Sequence, residues 1–209
     1  MQKTLLFAVV FISMINFHLN AFVINVPEDQ PTIQDGINSS TNGDTILVAS
    51  NVYYENINFN GKNIVVASHF ILDSDYDYIH STTIDGSNYS NQDTTSTVLI
   101  ISGEDSNAVL QGFTIRGGEG SKWIDPDLPQ YTWRGGGGIL IFMASPIIKN
   151  NIIVDNAVTN TAGVDGAQGG GLLCYGGNPQ IINNVIMGNE ANYGAGMVVD
   201  YSGAIIKNN

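Results

Sequence analysis

Three stretches of the chain repeat one pattern. Residues 138–151 read GILIFMASPIIKNN, residues 171–184 read GLLCYGGNPQIINN, and residues 196–209 read GMVVDYSGAIIKNN. The second copy follows the first at an offset of 33 residues, and the third follows the second at an offset of 25. A constant motif with variable spacing is typical of a solenoid, in which each copy is one coil and the extra residues form a loop at one corner. The repeat therefore predicts an all-β solenoid.

Strand alternation within the copies predicts the core. Alternate side chains of a strand point to opposite faces, and stacked coils place like residues over like. The only cysteine, Cys174, falls where the other copies have Ile141 and Val199, so we expect a small buried hydrophobic residue rather than a nucleophile or a disulfide partner. The predicted inward residues are Ile139, Ile141, Ile148, Ile153, Leu172, Cys174, Ile181, Ile186, Met197, Val199 and Ile206.

Paired asparagines close each copy. Asparagine tolerates left-handed backbone angles, and its amide can hydrogen-bond to the same group one coil away. We therefore predict that the asparagines stack in two neighbouring columns, as a ladder of amides that satisfies polar groups at a bend. One column is Asn150, Asn183 and Asn208, and the column beside it is Asn151, Asn184 and Asn209.

The N-terminal residues predict export. Lys3 precedes an apolar run over residues 4–15, and Ala21 ends an acceptable cleavage site, so residues 1–21 are predicted to be a signal peptide. The chain should therefore be secreted or displayed at the cell surface. Residues 22–44 predict a strand followed by a short helix that begins near Pro31 and caps the solenoid of residues 45–209. No later apolar stretch is long enough for a transmembrane segment.

The C-terminal sequence and the net charge predict the extent of the chain and its partners. The chain stops at Asn209 within a repeat and without a polar cap, so we expect a monomeric fragment truncated at its C-terminus. The formal net charge is −12 with only seven Lys and Arg, which excludes nucleic acid as a partner. A polyanionic partner would need a bridging cation such as calcium, and no other cofactor is expected.

No metal site is predicted. Asp73, Asp75 and Asp77 have the alternate spacing of a calcium loop. Tyr78 stands where that loop needs glycine, and Ile84 stands where it needs glutamate. We interpret the segment as an acidic turn.

Several motifs resemble a known family. They are the opening VPEDQPTIQ at residues 26–34, GDTILV at 43–48, YYENI at 53–57, and the coils with Gly-Gly-Gly, Ser-Pro-x-Ile and Asn-Asn. Together they are similar to secreted bacterial proteins of the pectin-lyase-like superfamily, over essentially the whole mature chain. The resemblance implies a right-handed parallel β-helix, a single-stranded solenoid. It implies no single activity, because the superfamily contains lyases, hydrolases, esterases and adhesins.

Two insertions, residues 119–133 and 159–166, precede the Gly-Gly-Gly of the next coil and should leave from one corner. Long loops on a rigid scaffold often hold binding residues. Aromatic rings with scattered carboxylates suit an oligosaccharide, so we predict a glycan-binding groove. In the alternative, Trp123 and Trp133 only pin the loop to the solenoid. The candidate substrate-binding residues are Trp123, Asp125, Asp127, Tyr131, Trp133, Arg134, Phe142 and Tyr175.

Catalytic residues stay unassigned. No carboxylate pair lies in a diagnostic motif, and Arg134 is the only well-placed candidate for a base in uronate elimination. Residues 53–55 resemble the Gly-x-Tyr-x-Glu of pectin methylesterases, but Asn51 replaces the glycine, so that family's catalytic roles cannot be transferred. We expect Glu55 to be an exposed strand-end residue.

Three functions remain. The preferred one is a carbohydrate-interacting scaffold without an identifiable catalytic signature. One alternative is a polysaccharide lyase or glycoside hydrolase acting beside the 119–133 loop. The other is a structural stalk of a larger surface protein.

Overall fold

The computed structural model describes residues 21–209, so the predicted signal peptide lies outside the described residues except for Ala21. The described part contains 21 strands and three helices. The first seven strands are β1 (Val23–Val26), β2 (Thr45–Val48), β3 (Asn51–Tyr54), β4 (Ile57–Asn58), β5 (Val65–Ser68), β6 (Thr82–Asp85) and β7 (Thr94–Thr95). The next seven are β8 (Val98–Ile100), β9 (Val109–Gln111), β10 (Thr114–Arg116), β11 (Gly120–Ile124), β12 (Thr132–Gly135), β13 (Ile139–Phe142) and β14 (Ile147–Lys149).

The remaining strands are β15 (Ile152–Val154), β16 (Gly166–Gln168), β17 (Leu172–Tyr175), β18 (Gln180–Ile182), β19 (Val185–Met187), β20 (Met197–Asp200) and β21 (Ile205–Lys207). The helices are α1 (Ile33–Ser39), α2 (Phe70–Asp73) and α3 (Asp77–Ser81). No helix within residues 21–209 has both the length and the apolar character needed to cross a membrane.

Three parallel sheets form the body of the protein. Sheet A contains β1, β2, β5, β9, β14, β18 and β21 in spatial order, sheet B contains β3, β6, β10, β15 and β19, and sheet C contains β4, β8, β13, β17 and β20. From β2 onward the chain passes from sheet A to B to C and back to A. Each circuit adds one strand to each sheet, which confirms the predicted all-β class and the stacking of the repeats.

The register of the repeats is the predicted one. Cys174 pairs with Ile141 on one side and Val199 on the other, and Ile181 lies between Ile148 and Ile206. The predicted inward residues up to Ile181 are fully buried, including Cys174. The predicted burial of Val199 and Ile206 is wrong, because these residues are 37% and 51% exposed. They lie on β20 and β21, which have a neighbouring strand on one side only within the described residues.

The asparagine turns join sheet A to sheet B. Asn150, Asn183 and Asn208 have φ of 54°, 55° and 54°, which confirms the left-handed bend. The Asn184 side chain accepts a hydrogen bond from Asn151 Nδ2 at 3.1 Å and donates one to Asn209 Oδ1 at 2.9 Å. The predicted amide ladder is therefore confirmed, and it satisfies polar groups inside the turn.

A second ladder, which the sequence analysis missed, begins the crossing from sheet B to sheet C. Asn156 Nδ2 donates to Asn189 Oδ1 at 2.9 Å, and Gly118 N donates to Asn156 Oδ1 at 3.0 Å. Two successive corners of each circuit are therefore fixed by stacked amides. Insertions that follow Asn156 leave the register of the three sheets unchanged.

Helix α1 lies on the first strands of sheets A and C. Its apolar residues Ile33 and Ile37 are buried in the main core, and the Thr32 hydroxyl accepts from Asp35 N at 3.0 Å as the N-cap. Glu55 accepts hydrogen bonds from Ile33 N and Gln34 N, both at 3.0 Å. The prediction of Glu55 as an exposed strand-end residue is wrong, because its carboxylate binds the free amides of the helix N-terminus.

Replacing Asn184 by alanine should destabilise the protein by about 2–4 kcal/mol, because Asn151 N and the Ile148 carbonyl lose their buried partner. Urea unfolding of the two proteins would measure this loss. The matched control is Asn160→Ala, because Asn160 is exposed and should change stability by less than about 0.5 kcal/mol. Equal effects of the two substitutions would contradict a structural role for the ladder.

The interactions of Asp85 should make the stability of the fold depend on pH. Burial acts to raise its pKa, but hydrogen bonds from Ser87 and from Arg116 outweigh it and lower the pKa below the ordinary 3.8. Since the folded pKa is depressed, the stabilisation is present above pH 3.8 and lost as the pH falls through the folded value.

We expect Asp85→Asn to lose about 1 kcal/mol at pH 7, since Arg116 is half-exposed and solvent screens the pair. Between pH 7 and pH 3, the free energy of unfolding of the variant should then fall by less than that of the wild type. Urea unfolding at both values measures the difference. Parallel pH profiles of the two proteins would contradict the assignment.

Candidate functional site

A fourth sheet, sheet D, is built from the crossings between sheets B and C. It contains β16, β12, β11 and β7 in spatial order, and β11 and β12 form an antiparallel hairpin. Both predicted insertions contribute to it, since β11 and the first half of β12 belong to the first and β16 begins at the last residue of the second. The prediction that the two insertions stand side by side beside sheet C is therefore correct. The first, however, is a hairpin rather than a loop.

The inner face of the hairpin is attached to sheet C by aromatic contacts. Trp123 and Trp133 are register partners, with ring centroids 6.5 Å apart. Trp123 lies 5.0 Å from the Tyr175 ring and 5.9 Å from the Phe142 ring, and Phe142 stacks on Tyr175 at 5.4 Å. These rings form an apolar cluster with Leu173 that is separate from the main core.

Asp125 and Asp127 hold the tip of the hairpin to the same strand. The buried Tyr175 hydroxyl donates to Asp125 Oδ1 at 3.1 Å and lies 3.4 Å from Asp127 Oδ2. Burial, followed by the neighbouring Asp125 carboxylate, raises the pKa of Tyr175 well above its ordinary value. The phenol therefore stays protonated and acts as a hydrogen-bond donor.

Sheet D fills the groove that the sequence predicted. Trp123 is 8% exposed, and Tyr175 is buried beneath it. A ring covered on both sides cannot stack on a sugar, so the geometry of Trp123 matches the pinning alternative. Trp133 and Phe142 are half-buried, and Tyr131 at 41% is the most exposed of the predicted aromatic residues.

The opposite face of the hairpin bears its cations. Lys122 and Arg134 are register partners and alternate with the two tryptophans, so they lie on the face turned away from sheet C. They form the floor of a cavity of about 270 Å³, here called the outer cleft. The outer cleft is lined by Tyr89, Gln92, Asp93, Glu119, Lys122, Arg134, Thr161 and Ala162.

Arg134 is a buried cation held by neutral acceptors. Its Nη1 donates to Thr95 Oγ1 at 2.9 Å and to the Gly120 carbonyl at 2.7 Å, and its Nη2 donates to the Gln92 carbonyl at 2.6 Å. Its Nε has no acceptor among the described residues, and no carboxylate there lies within salt-bridge distance of the guanidinium. These bonds fix the guanidinium in place at the base of the outer cleft.

Ionisable side chains surround this fixed charge. Lys122 Nζ lies 2.8 Å from Asp93 Oδ1, and this hydrogen bond lowers the pKa of Asp93. Interaction with the neighbouring Glu119 carboxylate raises the pKa of the Tyr89 hydroxyl. The outer cleft thus combines donors and acceptors of both charges in one polar cavity.

A second polar cavity of about 280 Å³ lies near the start of sheet C. It is lined by Asn56, Asn58, Asn88, Ser90, Asn91, Thr94 and Leu99. Both cavities border the segment of residues 86–97, which also crosses from sheet B to sheet C. The sequence analysis missed this segment, although its run of Asn, Ser and Thr after β6 marks a third insertion at the same corner.

No group of three or more potential metal ligands lies together within residues 21–209. In the predicted acidic turn, Asp75 N donates to Asp73 Oδ1 and Asp77 N donates to Asp75 Oδ1, so these carboxylates shape the connection between α2 and α3. Cys174 donates to Ser202 Oγ at 3.2 Å, and its burial raises the pKa of the thiol. The thiol is therefore a packing residue and a weak donor.

Removing the Trp123 ring should release the hairpin from sheet C. Trp123→Ala is expected to cost about 3–5 kcal/mol, because the ring fills the space between Trp133 and Tyr175. Amide hydrogen exchange should show faster exchange in β11 and β12 than in β13. Ile124→Ala is the control, because the neighbouring Ile124 is 56% exposed. Unchanged protection of the hairpin in Trp123→Ala would contradict the pinning role.

Comparison with known proteins leaves the chain without an assigned family: no family model matches it, and no curated protein matches it.

Proposed function

We propose that this chain is a right-handed parallel β-helix of the pectin-lyase-like type. In this proposal it works outside the cell as a scaffold that binds glycan in the outer cleft. The repeated passage through sheets A, B and C supports the helical architecture. The resemblance of residues 26–34 and 43–48 supports the superfamily, and the apolar N-terminal run supports secretion.

The outer cleft supports glycan binding through the kind of groups it collects. Sugar hydroxyls need paired donors and acceptors, and the outer cleft offers the Lys122 ammonium, the Gln92 amide, the Glu119 carboxylate and the Thr161 hydroxyl. The Tyr89 ring adds a flat apolar surface on which a sugar face can stack. The adjoining cavity lined by Asn88 and Asn91 extends this polar surface, as a chain of several sugar units requires.

The observation that carries the proposal is the buried Arg134 at the floor of this cleft. Thr95, Gly120 and Gln92 accept its hydrogen bonds, but its charge has no carboxylate partner within salt-bridge distance among the described residues, which is costly for a buried cation. Lys122 stands beside it as its register partner, so two of the seven Lys and Arg of the chain share one small cavity. Asp93 and Glu119 share the cleft with these two cations, so the cleft favours a ligand whose groups both donate and accept hydrogen bonds, as sugar hydroxyls do.

Two other functions retain specific support. Asp93 and Glu119 lie in the same cavity as Arg134, which favours the polysaccharide lyase or glycoside hydrolase alternative. The burial of Trp123 favours the stalk alternative, in which this segment binds nothing. The same ligand series distinguishes all three, because only an enzyme shortens the oligosaccharide and a stalk gives no saturable signal.

Lys122→Gln should weaken oligosaccharide binding at least tenfold, because it removes the accessible cation of the outer cleft. Tryptophan fluorescence can measure this during titration with neutral and uronic acid oligosaccharides, with and without calcium. Both tryptophans of the chain lie in the hairpin beneath the outer cleft, so bound ligand should change their emission. Product analysis by chromatography on the same samples would reveal turnover.

The matched control is Lys207→Gln, because Lys207 is an exposed lysine on β21 in sheet A, away from the hairpin. It should bind the oligosaccharides as the wild type does. Binding that Lys122→Gln leaves unchanged would move the site elsewhere on the surface. The absence of saturation with every oligosaccharide would overturn the proposal in favour of the stalk.

A further inference from the structure

An apolar groove lies on the outer face of sheet B, away from sheet D. The inward residues of β15 and β19 are Ile153 and Ile186, so their neighbours point outward. These outward residues are Ile152, Val154, Val185 and Met187, of which Val185 and Met187 are 51% and 58% exposed. Four apolar side chains in adjacent outward positions are unusual where a sheet faces water, because such positions are normally polar.

Helix α3 packs against sheet B and borders the groove. Thr114 on β10 donates from Oγ1 to the Ile79 carbonyl of α3 at 2.8 Å, which fixes the helix against the sheet. Ile79, His80 and the preceding Tyr76 line the groove, and so do the bends at Asn150 and Asn183. The groove has a volume of about 520 Å³, which is within the range of small-molecule sites.

The groove is lined by the Arg116 guanidinium together with amide and hydroxyl side chains, and the lining includes no carboxylate among the described residues. Asp85 accepts from Arg116 Nε at 2.8 Å, while the two Nη atoms of Arg116 have no acceptor within residues 21–209. The Asp85 contact orients the guanidinium, and the two terminal nitrogens are free to bind a carboxylate side by side.

From this complementarity we infer that the groove binds a small amphipathic carboxylate, such as a medium-chain fatty acid. The carboxylate pairs with the Arg116 guanidinium, and the apolar chain lies along Ile152, Val185 and Met187. His80 also lines the groove and offers a further donor to the head group. Binding involves no covalent step, and the site is on a different sheet from the outer cleft.

Isothermal titration of the full chain with hexanoate, octanoate and decanoate tests the inference, with 1-octanol as the uncharged probe. Each added methylene should raise the affinity about fourfold until the groove is filled. Octanoate should bind more tightly than octanol in the wild type. Arg116→Gln should remove that difference, with at least a tenfold loss for octanoate and little change for octanol.

A second variant protects the test against misfolding. Asp85 lies against Arg116, so Arg116→Gln could disturb the fold, whereas the exposed Val185 and Met187 can be replaced without that risk. The double variant Val185→Thr with Met187→Gln should weaken octanoate and octanol alike, by at least fivefold. Met143→Gln is the control, since Met143 is exposed near sheet C and should leave both affinities unchanged.

Three results would overturn the inference. One is octanoate binding that neither Arg116→Gln nor the double variant weakens. Another is equal binding of octanoate and octanol by the wild type. The third is a concentration-dependent rise in molecular mass that the double variant abolishes, because the groove would then be an interface between copies of this chain.

Discussion

In-register stacking is the constraint on which the rest of this structure depends. Each strand residue of one circuit lies against its counterpart in the next. A side chain must therefore pack against the equivalent residues of the neighbouring circuits as well as fit its own strand. Glycine shows how strict this is. A Cβ on Gly137 would lie against the Gly170 carbonyl of the next circuit, and Gly136 and Gly169 both adopt φ of 62° at the entry to sheet C. The Gly-Gly-Gly motif is therefore a packing requirement.

The same stacking makes the buried asparagine amides stabilising. A buried side-chain amide without a partner would destabilise the protein, but stacked amides satisfy each other along the axis. Asn151 and Asn184 do this at one corner, and Asn156 and Asn189 do it at the next. The crossing from sheet B to sheet C accepts an insertion in three successive circuits, after β6, β10 and β15. Sheet D, the outer cleft and the neighbouring amide-lined cavity all arise from segments inserted there.

Sequence alone predicted the periodic part of the fold and little of what lies upon it. The offsets of 33 and 25 residues placed Cys174 between Ile141 and Val199 correctly, because stacking forces equivalent positions together. The hairpin was missed as a hairpin, although Trp123 and Trp133 alternate with Lys122 and Arg134. Its pairing depends on contacts with Tyr175 and Phe142, which are distant along the chain. Glu55 was misjudged because its partners on α1 are about twenty residues away.

The contrast between the amide corners and the insertion corner has a consequence for how such a chain can vary. Residues 159–166 pair with the hairpin through β16 and through Asp165, which exchanges hydrogen bonds with Thr132. The sheets beneath keep their register through residues outside this segment. Length and composition can therefore change at this corner while the core stays constant. The architecture therefore separates the residues that specify folding from those that form a variable surface. A library randomised at residues 159–163 would sample new surfaces at little cost to stability.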